Sequence, residues 1–217
     1  MTDMIEKTEI TEKAYLAEKR LGIAEFRNNR LAVSGLLLIV VLCILSLFAP
    51  EIAPHDPFVQ RLDSRLLSPS QEYPFGTDEL GRCIFSRVIY GTRISLGIGI
   101  LVVAATSVAG TAIGLLSGYS GGLLDEALMR GVDIVMAFPN IILALVIAGL
   151  MGPGFFSVVL ALAVTQWPAY ARLVRGQVLS LRKRAFVEAA RALRPSDFYI
   201  IRKHILPNCM EPVIVLA

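Results

Sequence analysis

Residues able to do acid–base, nucleophilic or metal chemistry are few and scattered in this 217-residue chain. The cysteines, Cys43, Cys83 and Cys209, lie far apart, and His55 and His204 are the only histidines. The sequence has no CxxC, no HExxH and no histidine cluster, the spacings typical of built-in metal sites. It also lacks a glycine-rich phosphate loop of the Walker type. We therefore predict no built-in metal site, and we do not expect this chain to bind ATP by that route.

Two amide side chains lie within strongly apolar sequence, each close to a proline. Asn140 follows Pro139 in MAFPNIILAL, and Gln166 stands two residues before Pro168 in TQWPAYAR. A proline is expected to kink its helix, and an amide at membrane depth pairs inside a bundle or lines a wet cavity. Pro139, Asn140 and Gln166 are therefore predicted to lie on a translocation path. A purely structural kink explains either proline equally well.

The charged stretch EAARALRPSDFYIIRKHILPN, residues 188–208, contrasts with the apolar sequence around it. Two apolar stripes at helical spacing predict two short amphipathic helices: Phe186, Ala190 and Leu193, then Phe198, Ile201 and Ile205. Ser196 suits the N-cap of the second helix and Asp197 its first turn, while Pro207 is expected to end it. We expect the first helix to end near Leu193 and Arg194 to be extended before Pro195.

The amides, prolines and charged stretch described above must be positioned by the long apolar runs of the chain. Hydrophobic residues make up 55% of the chain and charged residues 18%, against about a quarter charged in soluble domains. Because about 20 helical residues cross a bilayer, we predict spans at 31–49, 94–116, 132–151 and 154–171 and the start of a fifth. The fold class is thus an all-α membrane protein, a polytopic helical bundle.

Gly110, Gly114 and Gly118 share one face of the second span and predict a tight helix-packing seam, within the chain or with a partner. Ordinary glycine enrichment in membrane helices is the alternative.

Basic residues indicate the orientation of the spans. Residues 172–203 carry nine Lys and Arg against two acids, and residues 1–30 carry six more basic residues. Four spans separate these regions, so both lie on one side, which the positive-inside rule makes the cytoplasm. We predict a cytoplasmic N-terminal segment at 1–30, an extracytoplasmic loop at 50–93 and a cytoplasmic loop at 172–208.

Several blocks together resemble one family of permeases. Glu188-Ala189-Ala190, a turn, and Ile205-Leu206-Pro207 resemble the EAA loop in permease subunits of bacterial binding-protein-dependent ABC importers. The block FGTDELGRCIFSRVIYGTRISL, residues 75–96, resembles the C-type permease of the dipeptide, oligopeptide and nickel group. DEALMRGVDIVMAFPNIILAL and YARLVRGQVLSLRKRAFVEAARAL resemble the same group. The resemblance covers most of residues 75–208.

The resemblance implies a multi-pass subunit of the bacterial inner membrane with the type I ABC importer permease fold. Such a subunit forms half of a path for peptides or a related small solute, nickel included. The resemblance also implies that this chain is not an enzyme, has no catalytic residue and binds no cofactor itself. The implied partners are a homologous second permease, two cytoplasmic ATPases that hold ATP and Mg, an extracytoplasmic solute-binding protein and membrane lipid, with no nucleic acid. ATPase coupling is implied for residues of the loop at 172–208: Glu188, Ala189, Ala190, Leu193, Ser196, Asp197, Ile205, Leu206 and Pro207.

The chain departs from the family pattern at three points. Arg194 and Cys83 stand where the family usually has Gly and Asp. The family has six spans, and this sequence reaches only the start of a fifth at Ala217, as a fragment or after loss of the last spans.

Other interpretations of the sequence remain. The charged stretch could form interfacial helices on anionic lipid, and the chain could be a secondary transporter or channel that needs no ATPase, or a membrane scaffold. The charge-free runs contain no acid or histidine that could couple ions to transport.

Overall fold

The structure is a computed structural model that describes residues 28–192 and 196–216. The expectations for most of the N-terminal segment and for Leu193, Arg194 and Pro195, including the extended Arg194, lie outside these residues. The chain forms two compact units, Met1–Leu96 and Gly97–Ala217. All regular elements in the described ranges are helical, apart from one isolated bridge between Thr77 and Cys83, which confirms the predicted all-α class.

The described part of the first unit begins with the apolar helix α1, Arg30–Leu47. The Asn29 side chain caps it by accepting hydrogen bonds from the backbone N–H groups of Leu31 and Ala32, at 3.1 and 3.3 Å. The predicted span continued to residue 49. Instead, a separate short helix α2, Ala49–Ile52, starts there with Pro50 in its first turn, where a missing N–H costs nothing.

Helix α3, Ile84–Ser120, is 37 residues long and crosses from the first unit into the second. The prediction placed residues 84–93 in a loop and began the span at 94, so the helix starts ten residues early. Arg87 and Arg93 are compatible with a helix but not with lipid, and the apolar run therefore marked the hydrophobic part of the helix alone. At 1.5 Å per residue, α3 is about 55 Å long, well beyond the ~30 Å hydrocarbon core.

The second unit continues with α4, Gly122–Met136, and α5, Asn140–Met151. One residue separates α3 from α4, and both Gly121 and Gly122 have positive φ, at 68° and 59°, which glycine adopts without strain. The predicted span over 132–151 covers the end of α4 and all of α5, which are bent by 84° relative to each other. Pro139 lies at this break and forms the N-cap of α5.

Helix α6, Phe155–Leu181, runs unbroken through Pro168. It extends ten residues beyond the predicted end of the fourth span, so the first ten residues of the predicted loop at 172–208 belong to the helix. Eight of its nine buried residues recur every three or four positions along one face, the pattern of a helix packed on a neighbour: Ser157, Ala161, Thr165, Pro168, Ala171, Val174, Val178 and Leu181; the ninth is Tyr170.

The chain continues with α7, Ala185–Ala192, α8, Asp197–Ile200, a π-helical segment, Ile201–Ile205, and α9, Leu206–Leu216. The prediction that Pro207 ends the second short helix was wrong. In the π segment the N–H of Leu206 bonds to the carbonyl of Ile201, five residues back. This wider turn lies just before the proline, whose ring would clash with the carbonyl four residues earlier in an ordinary α-helix.

Within the described ranges, α1, α3 and α6 are long and apolar enough to cross a membrane, and the bent pair α4–α5 could form a fourth crossing.

Candidate coupling surface and cavity

The two short helices α7 and α8, called here the coupling helices, are anchored by a buried apolar cluster. Val187 of α7 and Ile200 of α8 are 0% and 2% exposed, and Ile205 of the π segment is fully buried. They join Val174 and Val178 of α6 in one core cluster, which continues to Cys209 and Val213 of α9. The coupling helices are therefore fixed to α6 and α9.

The opposite side of the coupling helices is exposed and partly aromatic. Phe186 is 43% exposed, Phe198 69% and Tyr199 44%. An open groove of about 400 Å³ is lined by Ser196, Phe198, Tyr199, Arg202 and Lys203. The face therefore combines exposed aromatic rings with cationic side chains.

The predicted stripes are only partly the ones that the structure forms. Ile205 faces inward, whereas Phe186 and Phe198 face solvent, and Val187, absent from the predicted stripes, carries the inward contact of α7. In an eight-residue helix with apolar side chains on adjacent positions, spacing alone does not decide which position turns inward. The core cluster on α6 decides it.

The remaining predicted coupling residues lie around this face. Glu188, Ala189, Asp197 and Pro207 are exposed, and Ala190 and Leu206 are intermediate, while Leu193 lies outside the described residues. Ser196 caps α8 as expected, since its Oγ accepts a hydrogen bond from the N–H of Tyr199 at 3.3 Å.

A polar contact joins α8 to the end of α3. The hydroxyl of Tyr119 donates a hydrogen bond to Asp197 Oδ1 at 2.5 Å. The Arg182 guanidinium lies 5.7 Å from the centre of the Tyr119 ring and donates to the carbonyl of Gly118 at 2.8 Å. A cation at the last carbonyls of a helix is favourable, and so is one over an aromatic ring. Sequence reasoning did not identify Tyr119 or Arg182 as contact residues.

Two ion pairs fasten α4 to α6. Arg175 Nε and an Nη atom bond both carboxylate oxygens of Asp125, at 2.6 and 2.7 Å, and Ser117 of α3 donates to the same carboxylate. Arg172 bonds Asp133 at 2.6 Å. The Asp125 side chain is only 15% exposed, and a bidentate arginine is the geometry that best satisfies such a carboxylate. In the sequence, Arg172 and Arg175 contributed only to the predicted orientation of the spans, and their ion pairs were not predicted.

The glycines of α3 lie against α6. A Cβ atom on Gly110 would come within 2.7 Å of the Trp167 carbonyl, and one on Gly114 within 2.6 Å of the Ala171 carbonyl. One on Gly118 would lie 2.8 Å from Val178 Cβ. Glycine at these positions lets the two backbones approach this closely, and the partner helix lies within the chain.

Asn140 and Gln166 line the same cavity, which has a volume of about 340 Å³. It opens between α5, α6 and the end of α9, and its lining includes Thr165, Tyr170 and Met136. Pro139 is not among the lining residues, although it positions Asn140 as the first residue of α5. The two predicted amides are thus brought together across two helices.

In the first unit, the block FGTDELGR forms a tight turn organised by Asp78. Its carboxylate accepts hydrogen bonds from the N–H groups of Leu80 and Arg82, both at 2.9 Å, and pairs with the side chains of Arg82 and Arg87. Burial opposes ionisation, but these hydrogen bonds outweigh it and lower the pKa of Asp78 to about 2. Gly76 and Gly81 complete the turn with φ of 74° and 72°. These residues of the block therefore stabilise a turn in the loop.

Comparison with known proteins agrees with these observations. Residues 110–217 match the family described as the binding-protein-dependent transport system inner membrane component. Residues 20–69 match the N-terminal transmembrane domain of oligopeptide transport permease C.

Individual relatives match most of the chain. It is 39% identical, over 91% of its own length, to the dipeptide transport system permease protein DppC of Alkalihalophilus pseudofirmus. It is 40% identical, over 88% of its length, both to the probable D,D-dipeptide transport system permease protein DdpC and to the glutathione transport system permease protein GsiD, each of Escherichia coli. The matches span 65%, 64% and 63% of these relatives, just under two thirds of their length. These matches confirm the resemblance seen in the sequence, and the chain belongs to the oligopeptide permease C group of binding-protein-dependent inner membrane transport components.

Proposed function

We propose that this chain is a permease subunit of an ATP-driven importer and that its coupling helices dock on a separate ATPase subunit. It forms part of the path for peptides or a related small solute together with a homologous second permease. An extracytoplasmic binding protein delivers the solute, and ATP and Mg are held by two ATPases. The N-terminus and the loop at 172–208 lie on the cytoplasmic side, as their basic residues favour.

The observation that carries this proposal is the two-sided character of the coupling helices. Val187 and Ile200 anchor them in the core, while Phe186, Phe198 and Tyr199 remain exposed. Interface hot spots are typically aromatic and arginine side chains that fill pockets on a partner. A rigidly anchored helix with an aromatic outer face is suited both to filling such a pocket and to moving with the partner.

The test uses the assembled transporter with Phe198→Ala and the charge reversal Glu188→Arg. We expect Phe198→Ala to weaken ATPase binding by about 30-fold, as loss of a hot spot of about 2 kcal/mol would. We expect Glu188→Arg to abolish transport while membrane insertion stays intact. Phe156→Ala is the matched control, because Phe156 is similarly exposed, at 77%, but lies at the far end of α6. Normal ATPase binding and transport in both coupling variants would show that the coupling role is wrong.

For the solute, the cavity favours peptides over a metal ion. Among its described lining residues, the hydrogen-bonding side chains are neutral: Asn140, Thr165, Gln166 and Tyr170. Amides and hydroxyls can pair with the N–H and C=O groups of a peptide, whereas nickel prefers imidazole, thiolate or carboxylate ligands. The names of the relatives, which specify dipeptides and glutathione, point the same way. Mass spectrometry of the ligand on the copurified binding protein tests this assignment, and a bound nickel ion would overturn it.

The alternative of a secondary transporter or scaffold makes different predictions. Transport that survives ATP depletion but stops with an ionophore would identify a secondary transporter. Partner binding without accumulation of any solute would identify a scaffold.

A further inference from the structure

We propose that Tyr119 is a positioning residue that links the coupling helices to the helices around the cavity. The proposal rests on the function proposed above. It assigns to the hydroxyl of Tyr119 the task of passing a displacement of α8 to the end of α3, and from there to α4 and α5. Nothing in this role requires Tyr119 to contact solute, ATP or the ATPase.

The first step of the argument is that the Tyr119 ring is held on several sides. It packs, partly buried, on the core cluster that contains Val187 and Ile200. The Arg182 guanidinium lies over the ring, and the same guanidinium bonds the carbonyl of Gly118 next to it. Tyr119 therefore follows the end of α3 and does not swing independently of it.

The second step concerns Asp197, which stands at the first position of α8 directly after the Ser196 cap. A carboxylate there is favourable to its own helix, yet here one of its oxygens accepts the Tyr119 hydroxyl at 2.5 Å. The contact spans 78 positions of sequence. It joins the first residue of α8 directly to the end of α3.

The third step follows the connection from α3 to the cavity. Ser117, two residues before Tyr119, donates a hydrogen bond to Asp125 of α4, and Arg175 of α6 clamps the same carboxylate. Helix α4 leads through the break at Pro139 into α5, whose first residue, Asn140, lines the cavity. Hydrogen bonds therefore join α8 to α3 and α3 to α4, and the polypeptide itself continues from α4 to the cavity wall.

The apolar cluster alone could hold the coupling helices in place, so the test must separate transmission from packing. Tyr119→Phe keeps the ring and removes only the hydroxyl. In proteoliposomes with the whole transporter and its loaded binding protein, the readout is solute transported per ATP hydrolysed, normalised to the ATPase bound. We expect this ratio to fall by about three- to tenfold, since the lost bond is charge-assisted but exposed. Tyr90→Phe, the same change near the other end of α3, is the control and should leave the ratio unchanged.

A double-mutant cycle with Asp197→Ala, which removes the acceptor, completes the test. If the two groups act through one bond, adding Asp197→Ala to Tyr119→Phe causes little further loss of the ratio. If Tyr119→Phe fails to insert, Asp197→Ala breaks the same bond from the exposed side, and a lowered ratio supports the link. A wild-type ratio in the variant that inserts, or additive losses, would overturn this inference while leaving the proposed function intact. A wild-type complex that imports solute without ATP hydrolysis would instead refute the function itself.

Discussion

Replacing Gly114 by alanine should destabilise the bundle, although alanine is the better helix former. The added Cβ would lie 2.6 Å from the Ala171 carbonyl oxygen, 2.8 Å from Val174 Cβ and 3.1 Å from the Arg175 nitrogen. Two of these atoms belong to the α6 backbone, so no side-chain rotation relieves the overlap. Helices α3 and α6 must separate by roughly half an ångström or more, a gap that forfeits a quarter or more of the contact energy along the seam.

The magnitude follows from two opposing terms. Overpacking a close contact costs about 1–3 kcal/mol, and the rigid backbone neighbours favour the upper half of this range. Alanine recovers up to about 1 kcal/mol of helix propensity. We expect a net loss of about 1–2 kcal/mol in the free energy of unfolding. Gly118→Ala should cost somewhat less, because its closest approach is 2.8 Å, to Val178 Cβ, against 2.6 Å at Gly114.

Gly99→Ala is the matched control, since Gly99 lies on the same helix with no atom within 4 Å of the added Cβ. It should be neutral or stabilising by up to about 1 kcal/mol. Equilibrium unfolding in mixed detergent micelles measures both variants side by side. If Gly114→Ala stabilises the protein as much as Gly99→Ala does, the tight seam between α3 and α6 is refuted.

Two further predictions concern carboxylates held by arginines. The Asp78 pKa is lowered from 3.8 to about 2, so its stabilisation is complete above about pH 4 and is lost as the pH falls through 2. The destabilisation by Asp78→Asn, about 1–2 kcal/mol at pH 5 after allowance for solvent screening, should therefore shrink toward zero near pH 2 in thermal unfolding. A pH-independent difference would contradict this. Arg175→Gln should cost about 2–3 kcal/mol by leaving Asp125 unpaired at 15% exposure. The same change at Arg130, whose pair with Glu126 is exposed, should cost less than about 0.5 kcal/mol, and equal losses would refute the importance of burial.

Features with a local cause could be predicted from the sequence. The apolar runs located the three helices that are long and apolar enough to cross a membrane. The four-residue spacing of the glycines predicted one packed face, and Ser196 predicted the start of α8. Each depends on neighbours within one or two helical turns. Helix ends were harder to place, because α3 and α6 continue for ten residues past their apolar runs at Arg93 and Arg172. Hydropathy indicates which residues tolerate contact with lipid, whereas a helix ends only where its backbone hydrogen bonds end.

Features that depend on tertiary contacts could not be predicted. Tyr119 and Asp197 are 78 positions apart, and Arg175 and Asp125 are 50 apart. Nothing in a single sequence marks one tyrosine or one arginine as the partner of a distant carboxylate. The inward turn of Val187 in place of Phe186 has the same origin, since the core on α6 selects the side chain that fits it.

Three prolines show how packing decides the outcome of one local rule. Each lacks the N–H of a regular helix and crowds the carbonyl four residues back, yet Pro139 directly precedes a helix, Pro168 lies inside one, and Pro207 follows a π turn. Helix α6 has nine buried residues, Pro168 among them, so tertiary contacts keep it one continuous helix through the proline. Helix α5, which the structure describes in full, has no buried residue, so no buried side chain of its own favours a straight continuation of α4. At Pro207 the buried Ile205 and Cys209 fix both sides of the proline, so the strain is absorbed as one wider turn. Removing the packing at Pro168, and not the proline itself, is therefore the change that should break α6.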